Sequence, residues 1–349
     1  MGEENNKTTK VIKANDIYDY LNNAPKNSVI INNMVKAYAK INSFYKKIAC
    51  AISGGADSDV MLDLCYKADK DGKVEYVWFD TGLEYQATKD HLKYLEEKYG
   101  IEIIRCKAIK PIPLTCREYG QPFLSKRVAD YISRLQKHNF DFKDGNFEYL
   151  CNKYPKCKGA LKWWCNMWGE GSSFNIQRNK WLKEFLIEYP PTFKISHKCC
   201  TYAKKGVISK YIKENNCDLN IVGVRKAEGG ARATAYKSCF DNGDDGCDNY
   251  RPLFWYKDSD KKEYEDNYNV THSKCYTEYG LKRTGCAGCP FGRDFEQELE
   301  IIEKYEPKLF KAVNNIFGDS YAYTRKYKKF CENMDEKYGS YASYLRGNN

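Results

Sequence analysis

The stretch Ser53-Gly54-Gly55-Ala56-Asp57-Ser58 decides the fold class, because it joins a strand-like run to a helix-like one. Residues 47–52 form the apolar run before it, and residues 59–65 after it place apolar residues on one helical face. Glycines let a backbone approach a ligand closely, and the amides at a helix start carry partial positive charge. The stretch therefore predicts a loop that binds phosphate or pyrophosphate; the alternative is a plain strand-to-helix turn with a Ser or Asp cap.

Two more strand-like runs follow this loop at the spacing of a wound α/β domain. Residues 74–80 read as a buried strand and residues 101–106 as another, with a helical pattern between them. Strands that alternate with helices in this way predict a doubly wound, mostly parallel sheet whose ligand lies at the carboxyl ends of the strands. Residues 293–349 predict a helical C-terminal appendage, interrupted at Pro307.

The six residues of the loop resemble the Ser-Gly-Gly-x-Asp-Ser motif of the PP-loop ATP pyrophosphatases, of the adenine nucleotide alpha hydrolase-like type. The resemblance implies that ATP binds there with Mg²⁺. The residues that it assigns to the nucleotide are Ser53, Gly54, Gly55, Asp57 and Ser58.

Asp80-Thr81-Gly82, at the end of the second strand, resembles a segment of the phosphoadenosine phosphosulfate (PAPS) reductase family. In that family the segment lines the adenosine pocket, so the resemblance makes Asp80 and Gly82 candidate nucleotide contacts. For the motif taken alone, an aspartate that caps a helix is an equal alternative. The order of this motif after the Ser-Gly-Gly loop favours the nucleotide site.

Sixteen cysteines in a chain with no export signal indicate a reducing compartment, where cysteine more often serves metal binding or catalysis than disulfides. Cys199-Cys200 and the pair Cys286 and Cys289 supply four thiolates, which suit an iron–sulfur cluster or structural zinc. Their layout resembles the Cys-Cys…Cys-x-x-Cys signature of adenylylsulfate (APS) reductases. That resemblance implies a 4Fe–4S cluster; two buried, unligated pairs are the alternative.

Three basic residues between the cysteine pairs also follow the family's order. Lys204 comes shortly after Cys200, and Arg225 ends a strand-like run that is followed by Arg232. Arginine forks bind phosphate or sulfate oxygens in bidentate fashion. The resemblance implies that all three neutralise the nucleotide's phosphates during catalysis; a surface salt bridge with Glu228 is the alternative for the arginines.

Net charge and hydrophobicity indicate which ligands and which cellular location to expect. The net charge of +10 suits a phosphorylated ligand and is compatible with nucleic acid. No segment is long enough to span a bilayer, and residues 1–13 do not resemble a signal peptide, so we expect a cytoplasmic protein without a membrane partner. The expected partners are an adenine nucleotide, a nucleic acid acceptor, a sulfur donor protein or thioredoxin-like reductant, and a second copy in a homodimer.

The expected organisation is an N-terminal tail with helices over 1–45, a PP-loop domain over 46–292 and the helical segment after it. Within the domain, 135–190 reads as an insertion or lid-like region. Its tryptophans, Trp163 and Trp164, are expected to pack rather than to stack on nucleic acid. Whether Cys151, Cys157, Cys165 or, further on, Cys275 binds metal is left open.

The leading hypothesis is an enzyme that cleaves ATP to AMP and pyrophosphate, adenylates an acceptor and uses the cluster in sulfur transfer, with nucleic acid as one acceptor class. A sulfonucleotide reductase is the first alternative, although the chain lacks that family's Glu-Cys-Gly-Leu/Ile-His segment and offers only Cys331 in its place. A non-catalytic, metal-stabilised protein that binds nucleic acid is the second.

Overall fold

The computed structural model describes residues 10–169, 171–229, 235–243 and 246–342. The chain divides into two compact units, each made of two separate segments. Unit 1 takes in the described residues up to Ile109 together with those of Ala203–Ala287. Unit 2 takes in Lys110–Tyr202 and the described residues from Gly288 onward. The boundaries expected from the sequence, with an insertion over 135–190, remain a prediction.

All the named strands belong to unit 1. They are β1 (Ile48–Ile52), β2 (Val74–Asp80), β3 (Ile103–Lys107), β4 (Leu219–Val222), β5 (Phe240–Asp241) and β6 (Asp248–Tyr250).

The helices of unit 1 include those that flank the sheet strands, and the helices of unit 2 include the longest in the described chain. In chain order they are α1 (Ile17–Leu21), α2 (Ser28–Ile41), α3 (Ala56–Ala68), α4 (Gln86–Tyr99), α5 (Ile112–Tyr119), α6 (Lys126–Lys137), α7 (Phe147–Lys153), α8 (Lys158–Trp164), α9 (Leu182–Glu188), α10 (Lys198–Cys200), α11 (Gly206–Asn215), α12 (Asp258–Tyr268), α13 (Lys274–Thr277), α14 (Phe295–Tyr305) and α15 (Pro307–Tyr338).

The sheet has the strand order β3-β2-β1-β4-β6-β5 and is parallel except where β5 meets β6. The predicted α/β class with a mostly parallel sheet is therefore confirmed. From β1 the chain passes to β2 on one side, while β4 pairs with β1 on the other side. The carboxyl end of β1 is thus a topological switch point, where sheets of this kind bind ligands.

Apolar side chains from α2, α3 and the central strands form the main core of unit 1. Helix α3 is buried along almost its whole length, with Val60, Met61, Leu62 and Leu64 fully enclosed. Because the helix that follows the loop is locked into this core, the start of α3 is a rigid support for whatever the loop binds.

Unit 2 has its own aromatic core. Trp163, Trp164 and Trp181 are fully buried there, among side chains from α6, α9 and α15. The expectation that Trp163 and Trp164 pack is confirmed, because neither presents a face to solvent. The break at Pro307 is also confirmed, since α14 ends at Tyr305 and α15 begins at Pro307. Among the described residues, none of the helices combines the length and apolarity that a membrane crossing needs.

Candidate functional site

The loop after β1 depends on a glycine at its second position. Gly54 has φ of +66°, and a Cβ there would lie 2.7 Å from the Thr88 Cγ2 on α4. A side chain at residue 54 would therefore meet both backbone strain and a steric clash. The Ser53 N–H donates to the Ser58 Oγ at 2.9 Å, which folds the loop back over the first turn of α3.

Gly55, at the N-terminus of α3, lies close to three hydroxyl groups. A Cβ at Gly55 would lie 3.1 Å from the Thr284 Oγ1, 3.1 Å from the Tyr276 hydroxyl and 3.2 Å from the Ser53 Oγ. Tyr276 and Thr284 are hydrogen-bonded to each other at 2.9 Å, and the Tyr276 hydroxyl also accepts from the backbone of Ala56. Hydroxyls and helix-start amides surround this position, which is the chemistry of an anion site.

Asp57 is enclosed by two cations. Its Oδ1 lies 3.0 Å from the Arg225 Nε and 3.1 Å from the Lys261 Nζ, and the side chains of both bases are largely buried. A second contact joins the Arg225 Nη1 to the exposed Asp258 carboxylate at 2.8 Å. Burial alone would lower the pKa of Arg225, but Asp258 and Asp57 outweigh it and raise that pKa above its usual value. Arg225 is therefore held in its charged form, and it lies with Lys261 beside the loop.

A partly buried histidine extends this network to Asp59 of α3. His272 donates from Nδ1 to the Asp59 Oδ2 at 2.8 Å and from Nε2 to the Glu265 Oε1 at 2.9 Å. Glu265 also pairs with Lys261 at 3.3 Å. Burial would lower the pKa of His272, but the two carboxylates outweigh burial and raise that pKa to about 9. At neutral pH His272 is therefore an imidazolium that links the start of α3 to α12.

The segment after β2 forms a second polar group in unit 1. Gly82, at φ +83°, donates its N–H to the Asp80 Oδ1 at 2.9 Å, and the Thr81 hydroxyl donates to the buried Glu84 at 2.6 Å. Burial raises the pKa of Glu84 above its usual value, while Thr81 and Lys204 oppose the rise. The Cys286 Sγ lies 3.6 Å from the Thr81 Oγ1. Lys204 and Cys286 therefore belong to the neighbourhood of the segment at Asp80.

Cys199 interacts with the side chains of three other cysteines within unit 2. The Cys199 thiol is hydrogen-bonded to the side chains of Cys116 and Cys200, and Cys289 is near enough to influence it electrostatically. The contact with Cys116 and burial together raise the pKa of Cys199, while Cys200 opposes the rise. Cys116 was not a candidate in the sequence, where it stands alone between Thr115 and Arg117. All four cysteines lack disulfides.

In the ranges that the structure describes, no three His, Cys, Asp or Glu side chains converge closely enough to hold a single metal ion. A tetrahedral zinc with bonds of about 2.3 Å would draw its sulfurs to within about 4 Å of one another. A 4Fe–4S cluster spreads its thiolates over four irons, so it needs a wider set. The cluster ligands expected from the sequence therefore stay a prediction.

The structure brings the predicted phosphate residues Ser53, Gly54, Gly55, Asp57 and Ser58 together with Arg225 at the end of β1 and β4. It places Lys204 by Glu84, whereas Arg232 lies outside the described residues. Sequence reasoning missed Lys261, Tyr276 and Thr284. The sequence signal that could have identified Lys261 is its position as a basic residue within the acidic run 258–266. No comparable signal marks Tyr276 or Thr284.

Comparison with family models supports the resemblance for one part of the chain. Residues 47–139 match the model of the phosphoadenosine phosphosulfate reductase domain. The match contains the loop and the segment at Asp80, and it ends before the paired cysteines. The resemblance to a PAPS reductase domain is thus confirmed for these residues.

A relative in Methanocaldococcus jannaschii, an uncharacterized protein, is 31% identical over 189 residues, or 51% of this chain. The chain spans only 38% of that relative's length. A PAPS reductase from Candida auris aligns over 80% of this chain and 97% of its own at 13% identity and a TM-score of 0.41. The U34-tRNA thiolase NcsA of Methanococcus maripaludis, solved with its [4Fe-4S] cluster, aligns over 88% and 81% at 14% identity and a TM-score of 0.37. Likenesses this weak carry no argument about activity.

Proposed function

We propose that the protein binds ATP at the loop 53–58 and cleaves it between the α- and β-phosphates to adenylate an acceptor. The observation that carries this proposal is the joint placement of the loop, the N-terminus of α3 and two buried cations at the switch point of the sheet. The match of residues 47–139 to a nucleotide-handling domain supports it.

Backbone amides would position the phosphates, and basic side chains would stabilise the charge that develops during cleavage. Amides of the loop and of the first turn of α3 would hold the β- and γ-phosphates, since the amides at a helix start carry partial positive charge and bind anions. Arg225 and Lys261 lie beside the loop and would balance the negative charge that moves onto pyrophosphate. The acceptor's nucleophilic atom bonds to the α-phosphorus while the bond to the bridging oxygen breaks, and pyrophosphate leaves with that electron pair.

Asp80 and Gly82 would border the adenosine. Their turn stands at the end of β2, the strand that pairs with β1, so it is one strand away from the loop at the same edge of the sheet. The Thr81 N–H and hydroxyl both donate to the buried Glu84 carboxylate, and these hydrogen bonds hold the turn in place. Lys204, close to Glu84, would act at this part of the nucleotide.

Mg²⁺ would be coordinated by the phosphates of ATP, and Asp57 would not be one of its ligands. Both bases that surround Asp57 lie within 3.1 Å of its Oδ1, so the carboxylate already has its counter-charges. Mg²⁺ commonly keeps several waters and binds through substrate phosphates. Asp57 is thus a residue that orients Arg225 and Lys261.

The Cys-Cys and Cys-x-x-Cys layout of the sequence is what supports an iron–sulfur cluster here. Among the described residues, no three His, Cys, Asp or Glu side chains converge on a single metal ion. Cys199, Cys200 and Cys289 would supply three of its ligands, and the sequence signature would add Cys286. Such a cluster supplies a site at which sulfur is bound and activated. We propose that sulfur supplied at the level of hydrosulfide by a donor protein then bonds to the activated atom of the acceptor, with nucleic acid as one acceptor class. AMP leaves with the electron pair of the bond that breaks.

A direct test uses the full-length protein with ATP labelled at the α-phosphate, magnesium and a mixture of cellular RNA, under anaerobic conditions. Free pyrophosphate is expected in an amount equal to the label recovered as adenylated acceptor and as AMP together. ADP and inorganic phosphate as the products would show cleavage at the wrong bond and would contradict the proposal. Sulfite release from APS or PAPS would instead favour the reductase alternative.

Cys331, the only thiol that the sequence offers to a reductase, lies within α15 and contacts the Lys180 carbonyl at 3.5 Å. Burial raises the pKa of its thiol above the usual value. A nucleophilic cysteine needs a lowered pKa and access to the substrate, so this environment weighs against the reductase alternative.

A further inference from the structure

We infer that Trp168 and Phe174, together with Arg127 and Lys162, form a docking surface for single-stranded nucleic acid on unit 2. The inference rests on the proposed function and deepens it, because it assigns a surface to the nucleic acid acceptor. The observation that carries it is one continuous group of side chains, here called the aromatic–cation cluster, in which each of two exposed rings has a cation beside it.

The two rings of the cluster are exposed, although other aromatic side chains close to them in sequence are buried. Trp168 is 42% exposed and Phe174 is 45% exposed. Trp163 and Trp164, which end α8 a few residues earlier, are buried. Burial of an aromatic side chain is strongly favourable, so two large rings that lie side by side at the surface indicate an interaction site rather than a part of the core.

Distances within the cluster show that its four side chains form one surface. The ring centroids of Trp168 and Phe174 lie 5.9 Å apart, and the two ring planes meet at 47°. The Arg127 Cζ lies 4.2 Å from the Phe174 centroid, and the Lys162 Nζ lies 5.1 Å from the Trp168 centroid. A cation within about 6 Å of an aromatic ring is attracted to its face. Each ring therefore has a positive charge held beside it.

Hydrogen bonds fix the cluster before any partner binds. The buried Asn175 accepts from the Trp168 N–H at 3.0 Å through its Oδ1, and its Nδ2 donates to the Gly169 carbonyl at 2.8 Å. The Arg127 Nη1 donates to the Ser173 carbonyl at 2.8 Å and to the Ser173 Oγ at 3.1 Å. A surface that is already held in place loses little conformational entropy when it binds a partner.

The charge around the cluster favours an anionic partner. Residues 126–180 contain eleven Lys and Arg residues against five Asp and Glu residues. Lys126 and Lys158 are exposed, and they lie on the same helices, α6 and α8, as Arg127 and Lys162. Among the residues that the structure describes, no carboxylate lies within ion-pair distance of any of these four cations. Their charge is therefore not neutralised within the described part of unit 2.

Exposed rings with adjacent cations match the chemistry of a single strand better than that of a duplex. Bases of a duplex are already stacked and paired, so an aromatic side chain stacks mainly on the free bases of a single strand. The 47° angle between the rings fits two bases that are splayed apart, as a single strand allows. The Nη1 of Arg127 binds Ser173, which leaves its Nε and Nη2 to donate to a phosphate.

The binding test uses the full-length protein without ATP and a fluorescent single-stranded RNA of about ten nucleotides. Fluorescence anisotropy compares this probe with the blunt duplex of the same sequence. Polyglutamate and vesicles that contain phosphatidylserine are added as competitors, because an acidic polypeptide or an anionic membrane would also match the positive charge. The single strand is expected to bind more tightly than the duplex and to resist both competitors. Preference for the duplex, or displacement by either competitor at equal charge, would overturn the inference.

Variants of the rings test whether stacking contributes to binding. Trp168→Ala and Phe174→Ala are each expected to raise the dissociation constant of the single strand by about five-fold or more. Trp168→Phe keeps a ring and should recover most of the affinity. Tyr149→Ala is the matched control, since Tyr149 is a 56% exposed aromatic residue on α7 of the same unit. With folding verified by circular dichroism, wild-type affinity in both ring variants would contradict the proposed surface, as would an equal loss in Tyr149→Ala.

Variants of the cations test the contacts with phosphate. Arg127→Gln and Lys162→Gln should each reduce the slope of log affinity against log salt by about 0.7, the value for one lost contact with a single strand. Lys137→Gln is the control: Lys137 is exposed on the same helix as Arg127, ten residues further along and so about 15 Å away. Salt slopes that are the same in all three variants would rule out the assigned phosphate contacts.

Tryptophan fluorescence reports stacking directly. Trp168 and Trp255 are the two exposed tryptophans of the six in the chain. The single strand should quench the fluorescence of the wild type and of Trp255→Phe, but not that of Trp168→Phe. Quenching that persists in Trp168→Phe would contradict stacking on Trp168. Because binding is measured without ATP and AMP formation in a separate assay, failure of this surface is distinguishable from failure of the ATP proposal.

Discussion

The Asp57 Oδ1 lies 3.0 Å from the Arg225 Nε, so the carboxylate of the loop and the base that follows β4 form an ion pair across the switch point of the sheet. Lys261 completes the enclosure at 3.1 Å. The pair explains how an arginine that is only 8% exposed stays charged and aimed at the start of α3. In the proposed mechanism Asp57 positions these two bases, and the direct contact of Asp57 with the nucleotide that the resemblance implies stays a prediction.

Asp57→Asn is expected to destabilise the protein, because two largely buried cations lose their shared counter-charge. The loss in the free energy of unfolding should approach, without reaching, the roughly 3–5 kcal/mol found for fully buried pairs, since Asp57 is 18% exposed. Asp258→Asn is the matched control: its carboxylate pairs with the same arginine but is 89% exposed, so a change within about 1 kcal/mol is expected. Urea denaturation measures both, and equal losses would contradict the role of Asp57.

Lys261→Met should weaken ATP binding, because it removes a buried charge beside the loop. A charge-assisted contact contributes about 1.5–3 kcal/mol, so the dissociation constant should rise by about ten-fold or more. Lys262→Met serves as control, because Lys262 is exposed and pairs with Asp266 on the outer face of α12. Isothermal titration with a non-hydrolysable ATP analogue compares the two. Equal affinity in both variants would make Lys261 a structural residue only.

Gly54→Ala is expected to impair the loop without unfolding the core. A Cβ at this position meets the Thr88 methyl, and the φ of +66° disfavours any L side chain, so the loop should relax to another conformation. Restoring the binding conformation would cost on the order of 1–3 kcal/mol, which corresponds to a loss of ATP affinity of about ten-fold. Gly318→Ala, inside α15 with open space around it, should leave affinity unchanged and stability equal or higher. A normal affinity in Gly54→Ala would argue against the loop as the phosphate site.

His272 should make the stability of the protein depend on pH in the alkaline range. Its pKa is raised to about 9 in the folded state, against about 6.5 in an unfolded chain. A raised pKa means that the stabilising contribution is complete below pH 6.5 and is lost as the pH rises through about 9. The difference in unfolding free energy between the wild type and His272→Gln should therefore shrink across that window. Denaturation at a series of pH values tests this, and a difference that grew with pH would reverse the assigned ion pairing.

Cys331→Ser should leave ATP cleavage unchanged, because the thiol only packs in α15 and contacts a carbonyl that a serine hydroxyl can also reach. AMP formation under saturating ATP measures the effect. Sulfite release from a sulfonucleotide by the wild type, abolished in this variant, would reinstate the reductase alternative.

The features that could be predicted from the sequence are those that short stretches encode. The β1 loop, β2 and the helices around them follow from apolar runs and glycines within a few residues, and the mostly parallel sheet follows from the alternation of strands and helices. Lys261 and Cys116 could not be found in this way. Lys261 meets Asp57 across more than 200 positions of sequence, and Cys116 meets Cys199 across more than 80.

The division of each unit into two separate segments bears on how the chain folds as the ribosome makes it. β1 pairs with β4, but roughly 170 residues separate the two strands in sequence, and most of them belong to unit 2. At a synthesis rate of about 5–20 residues per second, the edge of β1 that pairs with β4 stays without its partner strand for on the order of ten seconds. During that interval β1 and β2 carry an apolar edge that invites pairing with another nascent chain. Chaperone dependence during expression, and poor yields of truncated chains, are the consequences to expect.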